Sequence, residues 1–188
     1  MDISIALIVI IVIILIAVAA TYNSLIGRRN QVQNAESSID VMLKKRYDLI
    51  PNLVQTVKQY MEHERELLEN ITALRSKLLT PSLAKSERNN LESQLTQGLQ
   101  QLSISVENYP DLKANENFLN LQYNLNEIES QLSASRRAYN AAVLDYNNGL
   151  DKFPSNIVAG FFNFKREEFF DIDPIESKNP SVKDLFDN

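Results

Sequence analysis

The segment FLNLQYNLNEIESQLSASRRAYNAAVLDY, residues 118–146, decides the fold of this chain. Its apolar and small residues recur at alternating steps of three and four, which places them on one stripe of a helix that packs against other helices. The members of this stripe are Phe118, Leu121, Leu125, Ile128, Leu132, Ser135, Tyr139, Ala142 and Tyr146. The segment therefore predicts a long helix with one buried face.

Two further stretches of sequence carry stripes with the same rhythm. The first has Leu43, Tyr47, Ile50, Val54, Val57 and Met61, and it resumes at Leu67, Ile71, Leu74 and Leu78. The second has Leu91, Leu95, Gly98, Leu102, Val106 and Tyr109. With only 4 glycines and 6 prolines in 188 residues, the composition favours long helices. We predict an all-α protein: an N-terminal transmembrane helix followed by an elongated antiparallel bundle of three to four long helices.

Prolines mark the predicted ends of these helices. Pro81 and Pro110 lie between the stripes and predict loops, since proline lacks an amide proton and pushes the preceding residue out of the helical region. Asn148-Gly149 and then Phe153-Pro154-Ser155-Asn156 are expected to close the third helix, and Pro154-Ser155 is expected to open a short fourth segment. Pro51 lies inside a first helix predicted from about Asn30 to Leu79. It predicts a kink, or the first turn of a new helix capped by Asp48.

An apolar run from Ile3 to Ala20 precedes the bundle. About 20 such residues are needed to cross the hydrocarbon of a bilayer as a helix. A cleavable signal peptide is the alternative, but Met1-Asp2 lacks the basic residues that begin one, which favours a retained anchor. Arg28 and Arg29 follow the run, so we expect a single-pass protein of the cell membrane, with its N-terminus outside and its bundle domain cytoplasmic.

The predicted domains follow from this pattern. Residues 1–22 form a transmembrane anchor, and residues 23–170 form an α-helical bundle domain. Residues 171–188 form an acidic tail with Pro174, Pro180 and few apolar residues, and such a composition is typical of disorder.

Composition argues against several classes of function. The net charge of −5, without a basic stripe, argues against nucleic acid as a partner. The chain has one histidine and no cysteine, whereas a metal centre in a helical bundle needs several converging ligands. Neither a catalytic triad order nor a glycine-rich phosphate loop is present. We therefore expect a protein that is not an enzyme and that takes no cofactor and no metal.

A charged cluster is the most distinctive candidate site. It contains Arg46, Tyr47 and Asp48, which follow Lys44-Lys45. One interpretation is a solvated basic turn, with the tyrosine in the core and Asp48 as a helix cap or ion-pair partner. The other is a docking face for a partner.

The sequence also offers an ion pair between helices. Arg136 and Arg137 directly follow the stripe residue Ser135, and either can be placed opposite Asp48 or Asp111. We predict that such a pair fixes the register of the bundle.

An aromatic segment follows the third helix. Phe161, Phe162 and Phe164, with Phe169 and Phe170, place five phenylalanines in ten residues. Burial of such side chains is favourable by about 2 kcal/mol each. The segment is therefore expected to fold back onto the end of the bundle, or to contact a partner or the membrane surface.

Three long stretches resemble the bacterial LemA family. They are YNSLIGRRNQVQNAESSIDVMLKKRYDLIPNLVQTVKQYMEHE (residues 22–64), ENYPDLKANENFLNLQYNLNEIESQLSASRRAYNAAVLDYNNGLDKFPSNIVA (residues 107–159) and FFNFKREEFF (residues 161–170). The runs KRYDLIPNLV and YPDLKANENF carry most of the resemblance. One departure is Glu36, which stands where the family pattern has tryptophan after Ala35.

The resemblance implies a single-pass membrane protein with an N-terminal anchor and an α-helical domain, in a family whose biochemical role is poorly defined. It implies association with membrane metalloproteases of the heat-shock type as one class of partner. Together with the residue patterns, it favours a membrane-anchored scaffold or adaptor that contacts the lipid bilayer and other proteins or copies of itself. The alternative is a sensing or signalling module that couples the anchor to the bundle through a kink at Pro51.

Overall fold

The computed structural model describes residues 3–80 and 83–170, without the side chain of Lys85. These residues form six α-helices and no strand, which confirms the all-α prediction. The helices are α1 (Ile3–Lys58), α2 (Arg65–Leu78), α3 (Lys85–Val106), α4 (Pro110–Lys113), α5 (Glu116–Asp151) and α6 (Ser155–Phe161), with a single 3₁₀ turn at Glu62–Glu64.

The described residues belong to two compact units. The anchor unit contains residues 3–38 and 135–170, and the hairpin unit contains residues 39–134. The predicted domain limits at residues 22 and 170 stay predictions. The predicted disordered tail, residues 171–188, lies outside the described residues.

The apolar run forms the first part of α1, and its large side chains from Ile3 to Ile16 are exposed. This helix is long and apolar enough to cross a membrane. Exposed aliphatic side chains are costly in water but are the expected surface of a helix in lipid. The structure therefore agrees with a membrane-associated chain.

Helices α1 and α5 are antiparallel within each unit. In the anchor unit, Gly149 of α5 lies against α1, where a β-carbon would come within 3.1 Å of Arg28 Cδ and 3.3 Å of Leu25 Cδ2. The absence of a side chain thus permits close approach of the two helices. Helix α5 ends at Asp151, between Asn148-Gly149 and Phe153-Pro154, the two places where its close was predicted, and Gly149 itself lies within the helix at its contact with α1.

The hairpin unit buries the predicted stripes against one another. Its buried apolar side chains include Leu43, Tyr47, Ile50, Val57, Met61, Ile71, Leu74, Leu78, Leu91, Leu95, Leu102, Val106 and Phe118. Helices α2 and α3 pack as a pair. Gly98 lies at their contact, where an added β-carbon would come within 3.2 Å of Ile71 Cγ1.

The predicted continuous first helix to Leu79 is wrong. Helix α1 ends at Lys58, where the amides of Tyr60 and Met61 both donate to the Val57 carbonyl. Met61 leaves the helical region, with φ −116° and ψ 73°, and its side chain is buried. The Tyr60 hydroxyl accepts a hydrogen bond from Asn115 Nδ2 at 3.0 Å. Because neither glycine nor proline lies at this break, tertiary contacts of these side chains account for it.

Helix α1 passes through Pro51 without interruption, so Pro51 does not begin a new helix. The short fourth segment predicted after Pro154 is confirmed as α6. At its end Asn163 adopts φ 59°, a left-handed conformation that asparagine tolerates better than most residues. This turn directs the chain into a non-helical segment, residues 164–170, which we call the strap.

Candidate functional site

The most buried charge of the hairpin unit is the guanidinium of Arg46, of which 1% is exposed. It lies beside the stripe residue Tyr47, between the core residues Leu43 and Ile50. An arginine at this position of the helical repeat faces the neighbouring helices, and its charge therefore requires partners from them.

Those partners come from α3 and α5. Arg46 Nη1 donates to Glu92 Oε2 at 3.1 Å, and Arg46 Nη2 donates to Thr96 Oγ1 at 2.8 Å. Arg46 Nε lies 2.7 Å from Glu129 Oε1 in an ion pair. One cation on α1 thus contacts two carboxylates from two other helices, and this geometry sets the register of α1 against both.

Tyr47 completes the cluster. Its hydroxyl donates to Glu92 Oε1, so both oxygens of this buried carboxylate have a donor on α1. Glu92 is as inaccessible as the apolar core around it. These hydrogen bonds replace the water that the carboxylate loses on burial.

The backbone carbonyl of Tyr47 has a second role, which concerns Pro51. In an α-helix this carbonyl would accept from the amide four residues later, but Pro51 has no amide proton. Arg75 Nε of α2 donates to the Tyr47 carbonyl at 2.7 Å instead. A side chain of another helix thus satisfies the acceptor that the proline leaves unpaired.

The other members of the charged cluster are on the surface. Asp48 is exposed, and so is Asp111 in α4. The predicted pairing of Arg136 or Arg137 with either aspartate stays a prediction. The arginine that holds helices together in the hairpin unit is Arg46.

In the anchor unit, the aromatic segment lies partly on the bundle helices. The ring of Phe162 contacts that of Tyr22 at a tilt of 57°, with centroids 4.7 Å apart, and Phe164 contacts the same tyrosine edge-on at 5.6 Å. Phe170 meets Tyr139 edge-on at 6.3 Å, and the guanidinium of Arg136 lies 4.9 Å from its ring centre. The contacts with Tyr139 and Arg136 together fix the orientation of the Phe170 ring.

Two asparagines of α5 hold the strap by its backbone. Asn147 Nδ2 donates to the Glu167 carbonyl at 2.9 Å, and Asn147 Oδ1 accepts from the Glu167 amide at 3.1 Å. Asn140 makes the same pair of hydrogen bonds with Phe170, at 3.1 and 2.8 Å. Each side-chain amide thus satisfies the main chain of one strap residue, as a neighbouring strand would.

The tyrosines beside these asparagines act in the same way. The hydroxyl of Tyr146 donates to the Lys165 carbonyl at 2.9 Å, and that of Tyr139 donates to the Glu168 carbonyl at 3.1 Å. Burial raises the pKa of Tyr146, an effect that Arg29 opposes and Glu167 reinforces. The hydroxyl is therefore a neutral donor at physiological pH.

The spacing explains why these residues can hold an extended chain. Residues Tyr139-Asn140 and Tyr146-Asn147 are seven apart, which is about 10.5 Å along a helix. Three residues of extended chain, from Glu167 to Phe170, cover about 10 Å. The repeated Tyr-Asn pair is a signal in the sequence that could have indicated the strap. Sequence reasoning assigned the tyrosines to core packing and did not consider the asparagines.

No metal centre is found among the residues that the structure describes. Among residues 3–80 and 83–170, no group of three or more His, Cys, Asp and Glu side chains lies close enough together to hold a metal ion. The polar contacts described above are ion pairs in the hairpin unit and hydrogen bonds to a peptide backbone in the anchor unit.

Helix α1 begins with a long apolar run, and its later part packs against other helices. These features define a membrane-associated, all-α class of protein. Residues 35–183 match the LemA family, and the chain belongs to that family. The match includes the Arg46 cluster and the two Tyr-Asn pairs.

Individual relatives agree with this assignment. The chain is 29% identical to Protein LemA of Metamycoplasma hominis over 163 residues, which cover 87% of this chain and 74% of the relative. It is 26% identical to Magnetosome protein MamQ 2 of Paramagnetospirillum magneticum, covering 81% and 65% of the two chains. It is 22% identical to Magnetosome protein MamQ of Magnetospirillum gryphiswaldense, covering 79% and 64%. The chain thus spans slightly less than two thirds of the magnetosome relatives that it matches.

Proposed function

We propose that this chain is a non-enzymatic, membrane-anchored adaptor, which holds another membrane protein, or a second copy of itself, against its hairpin unit. The observation that carries the proposal is an open groove of about 710 Å³ in that unit, formed by the end of α1, the 3₁₀ turn and α2. Because Arg28 and Arg29 follow the apolar run, we expect this unit on the cytoplasmic side.

The groove has the composition of a protein-binding surface. Its floor is apolar, with the buried side chains of Met61 and Leu68 and the partly exposed Val54, and the charged side chains around this floor are Lys58, Glu62, Arg65 and Glu69. An apolar centre with a polar rim is the usual anatomy of a protein interface, and a groove of this kind suits the apolar face of a partner helix. Because the rim carries both positive and negative side chains, it favours a partner surface that also carries both positive and negative charges.

The relatives and the family support a role in assembly at a membrane. Relatives of this chain are named as magnetosome proteins. The family's association with membrane metalloproteases makes such a protease one class of partner. Neither observation names the partner of this chain, so the experiment has to identify it.

Site-specific photocrosslinking in living cells tests the proposal. A photoreactive amino acid replaces Ala73, an exposed residue that lines the groove, in the full-length chain. The control carries the same group at Asn124, an exposed residue of α5 in the same unit that does not line the groove. We expect a discrete crosslinked product from position 73 and much less from position 124.

The identity of the product separates the outcomes. A recurrent foreign membrane protein, identified by mass spectrometry, supports the adaptor. Crosslinks between copies of this chain support a homo-oligomeric scaffold. Equal labelling of many proteins from both positions would contradict a dedicated groove and overturn the proposal.

A sensing module is the second candidate, and one contact favours it. The hydrogen bond from Arg75 to the Tyr47 carbonyl closes the gap that Pro51 leaves in α1, so displacement of α2 would reach α1 at this point. A sensor requires such an element with two arrangements. Pro51→Ala should change the set of crosslinked partners if the chain is a sensor, and should leave it unchanged if the chain is a passive adaptor.

A further inference from the structure

One face of the anchor unit exposes three large apolar side chains: one in the turn before α6, one within α6 and one at its last residue. Phe153 is 81% exposed, Ile157 is 62% exposed and Phe161 is 83% exposed. They recur every four residues, whereas Val158 and Ala159 on the other face are buried. The α6 segment is thus amphipathic, with its larger side chains pointing away from the protein.

The position of this face relative to the apolar run is fixed by one aromatic contact. Phe162 directly follows α6, and its ring contacts that of Tyr22 with centroids 4.7 Å apart. Tyr22 lies two residues beyond Ala20, the last residue of the apolar run, which is about 3 Å along the helix axis. The exposed face of α6 therefore lies at the level where α1 leaves the hydrocarbon.

Basic side chains lie beside the same aromatic contact. Arg29 and Lys165 line a cleft of about 510 Å³ together with Tyr22 and Phe162. Lys152, at the start of the turn before α6, is exposed. Phenylalanines beside lysine and arginine are typical of segments that lie in the interface of a bilayer, with the rings at the acyl boundary and the cations among the headgroups.

From this placement we propose that α6 is an interfacial membrane contact, which inserts Phe153, Ile157 and Phe161 into the surface of the same bilayer that α1 enters. The occupant of the exposed face is phospholipid, because the contact between Phe162 and Tyr22 places this face at the end of the apolar run of α1. The contact gives the anchor unit a second attachment beside α1 and restricts its rotation about that helix. This inference does not depend on the adaptor proposal.

The chain contains no cysteine, so single labels can be placed directly. The full-length Phe161→Cys variant carries an environment-sensitive fluorophore and is reconstituted in vesicles of phosphatidylcholine and phosphatidylglycerol. Some of the lipids carry a quencher near the top of the acyl chains. We expect this lipid to quench the label several times more strongly than aqueous iodide does. Ile157→Cys provides a second labelled site with the same expectation.

Phe169→Cys is the matched control. Phe169 is an aromatic residue of the strap and is 50% exposed, but it lies next to the contact between Phe170 and Asn140, away from Tyr22. Its label should be quenched by iodide and little by the lipid. Ile10→Cys, within the apolar run, is the positive control for reconstitution and should be quenched by lipid.

Two results would overturn the inference. With Ile10 quenched by lipid, equal accessibility of positions 161 and 169 to iodide would show that α6 faces water. Protection of position 161 from both quenchers, rising with the protein-to-lipid ratio, would show a second copy over the face instead of lipid.

Discussion

The hairpin unit and the anchor unit stabilise their helices with opposite chemistry. In the hairpin unit a buried cation, Arg46, joins carboxylates from two other helices. In the anchor unit neutral amides and phenols hold a backbone segment, and the ion pair between Arg28 and Asp145 is partly exposed. A buried ion pair specifies one arrangement and is costly to break, whereas neutral hydrogen bonds to a backbone can break one after another at smaller cost.

The two units also differ in how strictly they depend on particular side chains. The Arg46 cluster requires particular side chains on three helices. The asparagines hold the strap through its carbonyl and amide groups, so many sequences would satisfy the same asparagines. We therefore expect the hairpin unit to be sensitive to substitution on every partner, and the strap to depend on α5 more than on its own side chains.

The largest expected effect is from Arg46→Met. This change leaves Glu92 buried without its cation, and removal of one partner of a buried pair costs about 3–5 kcal/mol. Arg46→Met combined with Glu92→Leu should recover most of this loss, because no buried charge remains. Urea unfolding of the full-length chain in detergent, followed by circular dichroism, measures both free energies of unfolding.

Arg65→Met is the control for that comparison. Arg65 forms an exposed ion pair with Glu69 on one face of α2, so its loss should leave the unfolding midpoint unchanged. If the double variant were as unstable as Arg46→Met alone, the ion pair would not be the cause of the loss.

The strap tests the second half of the comparison. Replacement of both Asn140 and Asn147 by alanine removes four hydrogen bonds to the strap backbone, each worth about 1 kcal/mol. Amide exchange at residues 165–170 should accelerate by more than about tenfold, which corresponds to about 1.4 kcal/mol, while exchange in the hairpin unit stays the same.

Asn148→Ala is the matched control for the strap, since this neighbouring side chain is exposed. Its exchange profile should equal that of the unaltered chain. Unchanged protection of residues 165–170 in the double variant would show that aromatic packing alone holds the strap.

A smaller effect is expected at Pro51. Arg75→Met leaves the Tyr47 carbonyl without its donor, at a cost of about 1–3 kcal/mol. In a Pro51→Ala background the alanine amide supplies that donor, so the same Arg75→Met change should cost clearly less. Urea unfolding of the four chains gives the coupling energy. Equal costs in both backgrounds would exclude the proposed role of Arg75.

The smallest effect concerns alkaline pH. Burial raises the pKa of Tyr146 above the value of about 10 that tyrosine has in an unfolded chain. The folded state thus holds the phenolic proton more tightly, so its stabilising effect is complete below pH 10 and is lost as the pH rises through the folded pKa. Tyr146→Phe should cost about 1 kcal/mol at neutral pH and make stability less dependent on pH above 10.

Tyr123→Phe is the control for that measurement, because Tyr123 is exposed. It should leave the alkaline decline of stability intact. A decline of equal slope in both variants would exclude Tyr146 as its source.

Much of the fold was predictable from apolar spacing. The stripes at Leu43, Leu95 and Leu132 became core, and α6 begins beside Pro154 as expected. The break after Lys58 was not predictable, because it lies in a sequence without glycine or proline and depends on Met61 and Tyr60 finding distant partners.

The candidate site was less predictable than the fold. Arg46 and Tyr47 stood out in the sequence, but their partners Glu92 and Glu129 are on other helices, and no local pattern relates them. For the aromatic segment, sequence reasoning left two environments open. The structure places Phe162 and Phe164 on Tyr22, while Phe161 is exposed.

The sequence by itself determined the membrane-directed apolar helix, the all-α class and the positions of most stripes. These follow from hydrophobicity and from periods of three and four residues, which are properties of neighbours along the chain. Tertiary structure alone decided that Arg46 is buried, that Arg75 serves the carbonyl freed by Pro51, and that asparagines of α5 hold the strap. Each of these depends on polar groups that are remote in sequence and meet only after the helices pack. A buried polar group is stable only if it has a hydrogen-bond partner, and the sequence does not show which remote residue will be that partner.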